Sequence, residues 1–112
     1  TGDRDLILQN SNKIELTEHL FDKDALIFPN VKSNYVILNE KKAGKHIRFT
    51  FGDSPFLAIW AKPAAPFVCI EPWYGVNDSY EKATDFSKKR GIQKLSSGKE
   101  FEFSWSAEFK ED

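Results

Sequence analysis

The sequence predicts an all-β protein, an antiparallel β-sandwich. Three observations predict it. The segment 101–109 alternates strictly, with Phe101, Phe103, Trp105, Ala107 and Phe109 on one side and Glu102, Ser104, Ser106 and Glu108 on the other. His46-Ile47-Arg48-Phe49-Thr50-Phe51 repeats that period of two. The remaining apolar runs are short and separated by turn-forming residues, which suggests about eight short strands.

The elements follow in order. Leu6-Ile7-Leu8 and Ile14-Glu15-Leu16-Thr17 are expected strands, parted by Asn10-Ser11-Asn12. Leu20 to Phe28 holds Asp22 and Asp24 ahead of the apolar run Ala25-Leu26-Ile27-Phe28. Tyr35 to Leu38 is a β-branched and aromatic run. The polar turn Lys41-Lys42-Ala43-Gly44-Lys45 joins it to the His46–Phe51 strand as an antiparallel hairpin. Phe56 to Ala61 is nearly continuous in apolar residues and predicts a strand buried on both faces. Pro63-Ala64-Ala65-Pro66 is a rigid link to Phe67-Val68-Cys69-Ile70-Glu71, a second buried strand that Pro72 is expected to end. From Tyr74 to Arg90 the chain is polar. Asp78-Ser79-Tyr80-Glu81 has capping-box spacing, and Lys88-Lys89-Arg90-Gly91 has the character of a helix C-terminus, so a short helix fits inside this loop. Ser96-Ser97-Gly98 is a turn before the final alternating segment. No linker divides the 112 residues.

Composition excludes several function classes. Sixteen basic residues against 17 acidic ones leave no basic excess, which argues against a dedicated nucleic-acid binder. The longest apolar stretch, Phe56 to Ile70, is broken by Lys62, Pro63 and Pro66 and falls short of the roughly 18 residues of a membrane span. The polar N-terminus has no signal-peptide core. A single cysteine, Cys69, excludes an internal disulfide and cysteine-rich zinc sites, and a reducing cytoplasm is the simplest setting. No metal-ligand spacing and no phosphate loop is present, so no cofactor is expected. Asn77-Asp78-Ser79 matches a glycosylation sequon by chance. The sequence contains no Met, and its start at Thr1-Gly2 suggests trimming or a piece of a longer protein.

Glu71 is the most informative residue. It closes a buried apolar strand immediately before Pro72-Trp73-Tyr74-Gly75. A partly desolvated carboxylate is the setting of a general base. Trp73, and Trp60 on the neighbouring strand, offer flat apolar faces. Sugar rings stack their C–H patches on such faces, and their hydroxyls need acceptors. The combination points to a carbohydrate site, while the same pattern also suits a strand-end glutamate capping a loop over a core tryptophan. Asp22 and Asp24 are either turn formers or acceptors facing a pocket. His19 and His46 are expected at the surface, and Cys69 in the core. Lys41-Lys42 and Lys88-Lys89-Arg90 are solvated turns or binders of a sugar phosphate.

The run Pro66-Phe67-Val68-Cys69-Ile70-Glu71-Pro72-Trp73-Tyr74-Gly75-Val76-Asn77-Asp78 resembles the C-terminal signature of the galactose mutarotase-like family, nearest its bacterial aldose 1-epimerase branch. Leu20 to Phe28, Phe56 to Trp60, and the ending from Lys89 through Phe109 resemble the same branch in the same order. The resemblance implies that residues 1–112 are the C-terminal portion of one supersandwich domain. It implies interconversion of the α and β anomers of a free aldose without metal or cofactor. It assigns the general base to Glu71 and sugar contacts to Asp24, Trp73 and Trp60. The family's acid histidine has no match in His19 or His46. The chain is thus expected to carry the base without the acid, to be inactive alone, and to have a monosaccharide substrate. Its expected protein partner is the rest of the same protein, or a second copy. A non-catalytic carbohydrate-binding sandwich and a β-sandwich interaction module are the competing readings.

Overall fold

The computed structural model describes residues 12–76 and 85–111. Two three-stranded antiparallel sheets account for its regular structure. The first has the order β1-β4-β5, with β1 at Leu26–Pro29, β4 at Phe56–Trp60 and β5 at Cys69–Trp73. The second has the order β2-β3-β6, with β2 at Tyr35–Asn39, β3 at Lys45–Thr50 and β6 at Ser106–Glu111. The expected fold class therefore holds: the described residues form an all-β, mutually packed pair of sheets with almost no helix.

The β2–β3 hairpin forms as its sequence predicts. Val36 pairs with Phe49 and Leu38 with Ile47. Glu40 N donates to Lys45 O at 2.9 Å, and Gly44 takes the positive φ of 65° that the turn demands. β3 then pairs with β6, setting Phe49 against Ala107 and Ile47 against Phe109. Residues opposite one another share a face. Val36, Phe49 and Ala107 thus form one surface, which meets Leu57 and Ile70 of the first sheet. Phe49, Phe51 and Leu57 are the buried centre, with Val31, Val36, Ile70 and Ala107 packed around them.

Four expectations are corrected. Ile14 to Thr17 is not a strand: it runs into turns closed by Leu20 N to Thr17 O and Asp24 N to Phe21 O, and Leu16 is 45% exposed. Its alternation finds no partner strand among the described residues, and Leu6 to Leu8 lies outside them. β1 is an additional strand, in the apolar run after Asp24, pairing Ile27 with Ala58. β5 does not stop at Glu71. Pro72 lies within it, opposite Leu57, and Trp73 pairs with Phe56. The edge position explains this, since an edge strand bonds along one side only and tolerates a residue without N–H. The last strand begins at Ser106 rather than Phe101. β3 ends at Thr50, opposite Ser106, and the chain leaves the sheet at Gly52, so residues 101–105 have no continuation of β3 to pair with.

The capping box at 78–81 and the sequon at 77–79 lie outside the described residues. The helical segment beyond them is one 3-10 turn, Phe86–Lys88, capped by Asp85, whose Oδ1 accepts from Ser87 N at 2.9 Å and Ser87 Oγ at 2.8 Å. Gly91 follows with φ +76°. A Cβ at this position would collide with the Tyr74 carbonyl oxygen and the Phe56 ring, so the close approach of this loop to the first sheet requires glycine.

Candidate functional site

The register of the first sheet decides which side chains share its outer face. Glu71 stands opposite Ala58, Trp60 opposite Cys69, and Trp73 opposite Phe56. All six project to one side, away from Leu57 and Ile70, which face the core. Ala58 is fully buried, so its methyl group forms the floor beside the Glu71 carboxylate. Trp73 Nε1 donates to Glu71 Oε2 at 3.0 Å, fixing carboxylate and indole together. Trp60 is diagonal to Glu71, at a spacing of about 7–8 Å between diagonal cross-strand residues. Its ring packs edge-on against Phe67, with centroids 6.1 Å apart. The result is a half-buried carboxylate on an apolar face with an indole to either side.

Asp24 is not on this face. It precedes β1, at the end of the sheet where Trp60 lies, with an exposed side chain and φ of 93°. Its Oδ1 accepts from Ala25 N at 2.8 Å, the short-range bonding that lets aspartate occupy positive φ. Asp22 is taken by His19, Nδ1 to Oδ2 at 3.0 Å, on an exposed turn. His46 lies on β3, in the other sheet.

Beyond Trp73 a concavity of about 480 Å³ is lined by Trp73, Tyr74, Lys89 and Arg90 among others, and Glu71 is not part of its wall. Arg90 lies over the Phe56 ring, its Cζ 5.1 Å from the centroid. Tyr74 Oη donates to Asp53 Oδ1 at 2.9 Å. Its phenol is raised above the ordinary tyrosine value, first by desolvation and then by the Asp53 carboxylate. Sequence reasoning noted the Lys88-Lys89-Arg90 run but did not place it beside Trp73. The signal that brings it there is Gly91, whose conformation folds this loop onto the first sheet. Among the described residues no group of three or more His, Cys, Asp or Glu side chains could hold a metal.

No protein-family model matches the chain. Its sequence is 34% identical over 94 residues to the plasmid and chromosomal forms of Protein LacX of Lactococcus lactis subsp. lactis, a match covering 83% of this chain and 31% of each relative. The solved structure of a galactose mutarotase related enzyme from Lactobacillus acidophilus superposes with a TM-score of 0.76 at 36% identity, over 87% of this chain and 33% of that one.

The chain belongs to the galactose mutarotase-like family.

It spans about a third of the length of the relatives it matches, and the matched part of the solved relative is its C-terminal part. For a mutarotase-like chain, the outer face of β4 and β5 is the natural candidate site. The structure brings together three of the four residues singled out from sequence, Glu71, Trp73 and Trp60, and sets Asp24 at the sheet end. Phe56 and Ala58 complete that face and were read from sequence only as members of a buried strand. Among the described residues no helix is long and apolar enough to cross a membrane.

Proposed function

We propose that residues 1–112 are the C-terminal portion of a single aldose 1-epimerase-like β-sandwich domain and contribute the base side of a mutarotase site. The observation that carries this reading is the Glu71 carboxylate, held by the Trp73 indole on an apolar face with Trp60 diagonal to it. In the proposed reaction Glu71 takes the proton of the anomeric hydroxyl. An acid supplied from outside this chain protonates the ring oxygen as the C1–O5 bond breaks. Rotation about C1–C2 in the open aldehyde, then reclosure with the proton transfers reversed, yields the other anomer. Trp60 and Trp73 stack on the sugar ring, and Asp24 accepts from a hydroxyl at the rim. His46 in the other sheet, and His19 bonded to Asp22, support an acid that comes from elsewhere.

Polarimetry on freshly dissolved α-glucose and α-galactose tests the proposal. The chain alone is expected to leave the rate at that of buffer. When it replaces the matching segment of the Lactobacillus acidophilus relative, acceleration is expected, and Glu71→Gln should lower it by about 10²–10⁴-fold, the usual contribution of a general base. Acceleration by the chain alone that Glu71→Gln abolishes would sink the half-site reading. A second reading, sugar binding without turnover, is favoured if the chimera binds galactose yet stays at the buffer rate.

A further inference from the structure

The second sheet carries more apolar surface than the first sheet covers. Its inner face runs from Val36, Phe49 and Ala107, which meet the core, to Leu38, Ile47 and Phe109, which continue the same face past it. Phe109 is 75% exposed although it stands on the core-facing side of β6. Together with Leu38 and Ile47 it floors an open trough of about 600 Å³, rimmed by polar residues that include Glu40, Lys45 and Lys110. An apolar patch with a polar rim is the mark of an interaction surface.

The trough has a continuation. β6 is an edge strand, and the segment before it keeps the strand alternation, with Phe101, Phe103 and Trp105 at 45%, 58% and 59% exposure. Trp105 stacks on the core ring of Phe49, centroids 5.5 Å apart, and Phe101 and Phe103 pack against Tyr74 at 5.1 Å and 5.8 Å. These contacts hold the segment extended along the molecule while leaving its aromatics in water. An alternating aromatic row leading into an unpaired edge is a template for an added strand.

The lengths on either side of the match identify the occupant. This chain corresponds to 33% of the solved relative. The other two thirds of that fold has no counterpart among these 112 residues. We infer that residues 101–111 and the Leu38–Ile47–Phe109 trough form a docking surface for the remaining strands of a galactose mutarotase-like fold, which extend the second sheet at β6 and cover the trough. Added strands satisfy the edge backbone and bury the aromatic row. A lone small partner would not cover a surface that runs the length of the sheet.

The probe is the N-terminal part of the Lactobacillus acidophilus relative, the portion this chain does not match, mixed with the intact 112-residue chain. Sedimentation velocity is expected to show a one-to-one complex. Amide exchange at 101–105 should be fast in the free chain and slow by at least tenfold in the complex. Phe103→Asp and Phe109→Asp, both at exposed side chains and so compatible with folding, should each weaken the complex by at least tenfold. Phe86→Asp, on the 3-10 turn and 72% exposed, should leave it unchanged. Absence of a complex overturns the inference. So does a complex in which exchange at 101–105 stays fast, or one that tolerates both aspartates. A homodimer of the free chain that protects 101–105 equally well assigns the surface to a second copy and overturns it too.

Discussion

The pairing of Glu71 with Trp73 shows what a two-residue spacing does on a strand. Positions i and i+2 share a face, so their contact was legible once the segment was read as β. The prolongation of β5 through Pro72 is what made the spacing hold. Asp24 was not legible in the same way, because its place depends on a turn with positive φ rather than on a period. Tyr74 illustrates the electrostatics of the region. Its phenol binds its proton more tightly in the folded chain than in the unfolded one, through desolvation and the Asp53 bond. The stabilisation is therefore complete below the unfolded value near 10 and is lost as pH rises through the higher folded value. Phenolate absorbance in an alkaline titration should show one late component. Tyr74→Phe should abolish that component and remove the accompanying loss of stability from the region above about pH 10.

At the level of elements, strong alternation identified β3 and its hairpin partner, and a continuous apolar run identified β4. Both signals come from faces that are buried, so the core selects them. β1 was missed because four residues, Leu26–Pro29, are too few to show a period, and their extended form is imposed by pairing with β4. Residues 101–105 erred the other way: their pattern is that of a strand, and pairing, not pattern, ends β6 at Ser106. Energetics follow the same division. Leu57 on β4 is 2% exposed at the junction of the two sheets, whereas Ile37 on β2 is 46% exposed on the outer face. Leu57→Ala is expected to cost about 2–5 kcal/mol in urea unfolding. Ile37→Ala should cost no more than about 1 kcal/mol, the scale of a half-exposed strand position.

For the molecule as a whole, the fold class and the family were legible, and the sheet order was not. Which strands neighbour one another depends on contacts distant in sequence, such as β3 with β6, that no local pattern encodes. The radius of gyration is 16.2 Å, against roughly 13 Å for a compact domain of this length. The difference reflects two small sheets meeting over one core of Phe49, Phe51 and Leu57, with apolar surface left uncovered at both ends. A formal charge of −1 adds little long-range repulsion between copies.

The aromatic row of residues 101–109 carries its own safeguard. Glu100, Glu102 and Glu108 punctuate it, so a stack of identical chains in register would align rows of carboxylates at the roughly 4.8 Å spacing of a cross-β fibril. Ionised, those rows oppose stacking in the manner of gatekeeper residues. Protonation below about pH 4 removes the opposition. Thioflavin T fluorescence should stay at baseline at pH 7 and rise at pH 3, and Glu102→Gln with Glu108→Gln should move the onset toward neutral pH. The same strand that invites a partner thus resists its own kind for as long as its glutamates stay charged.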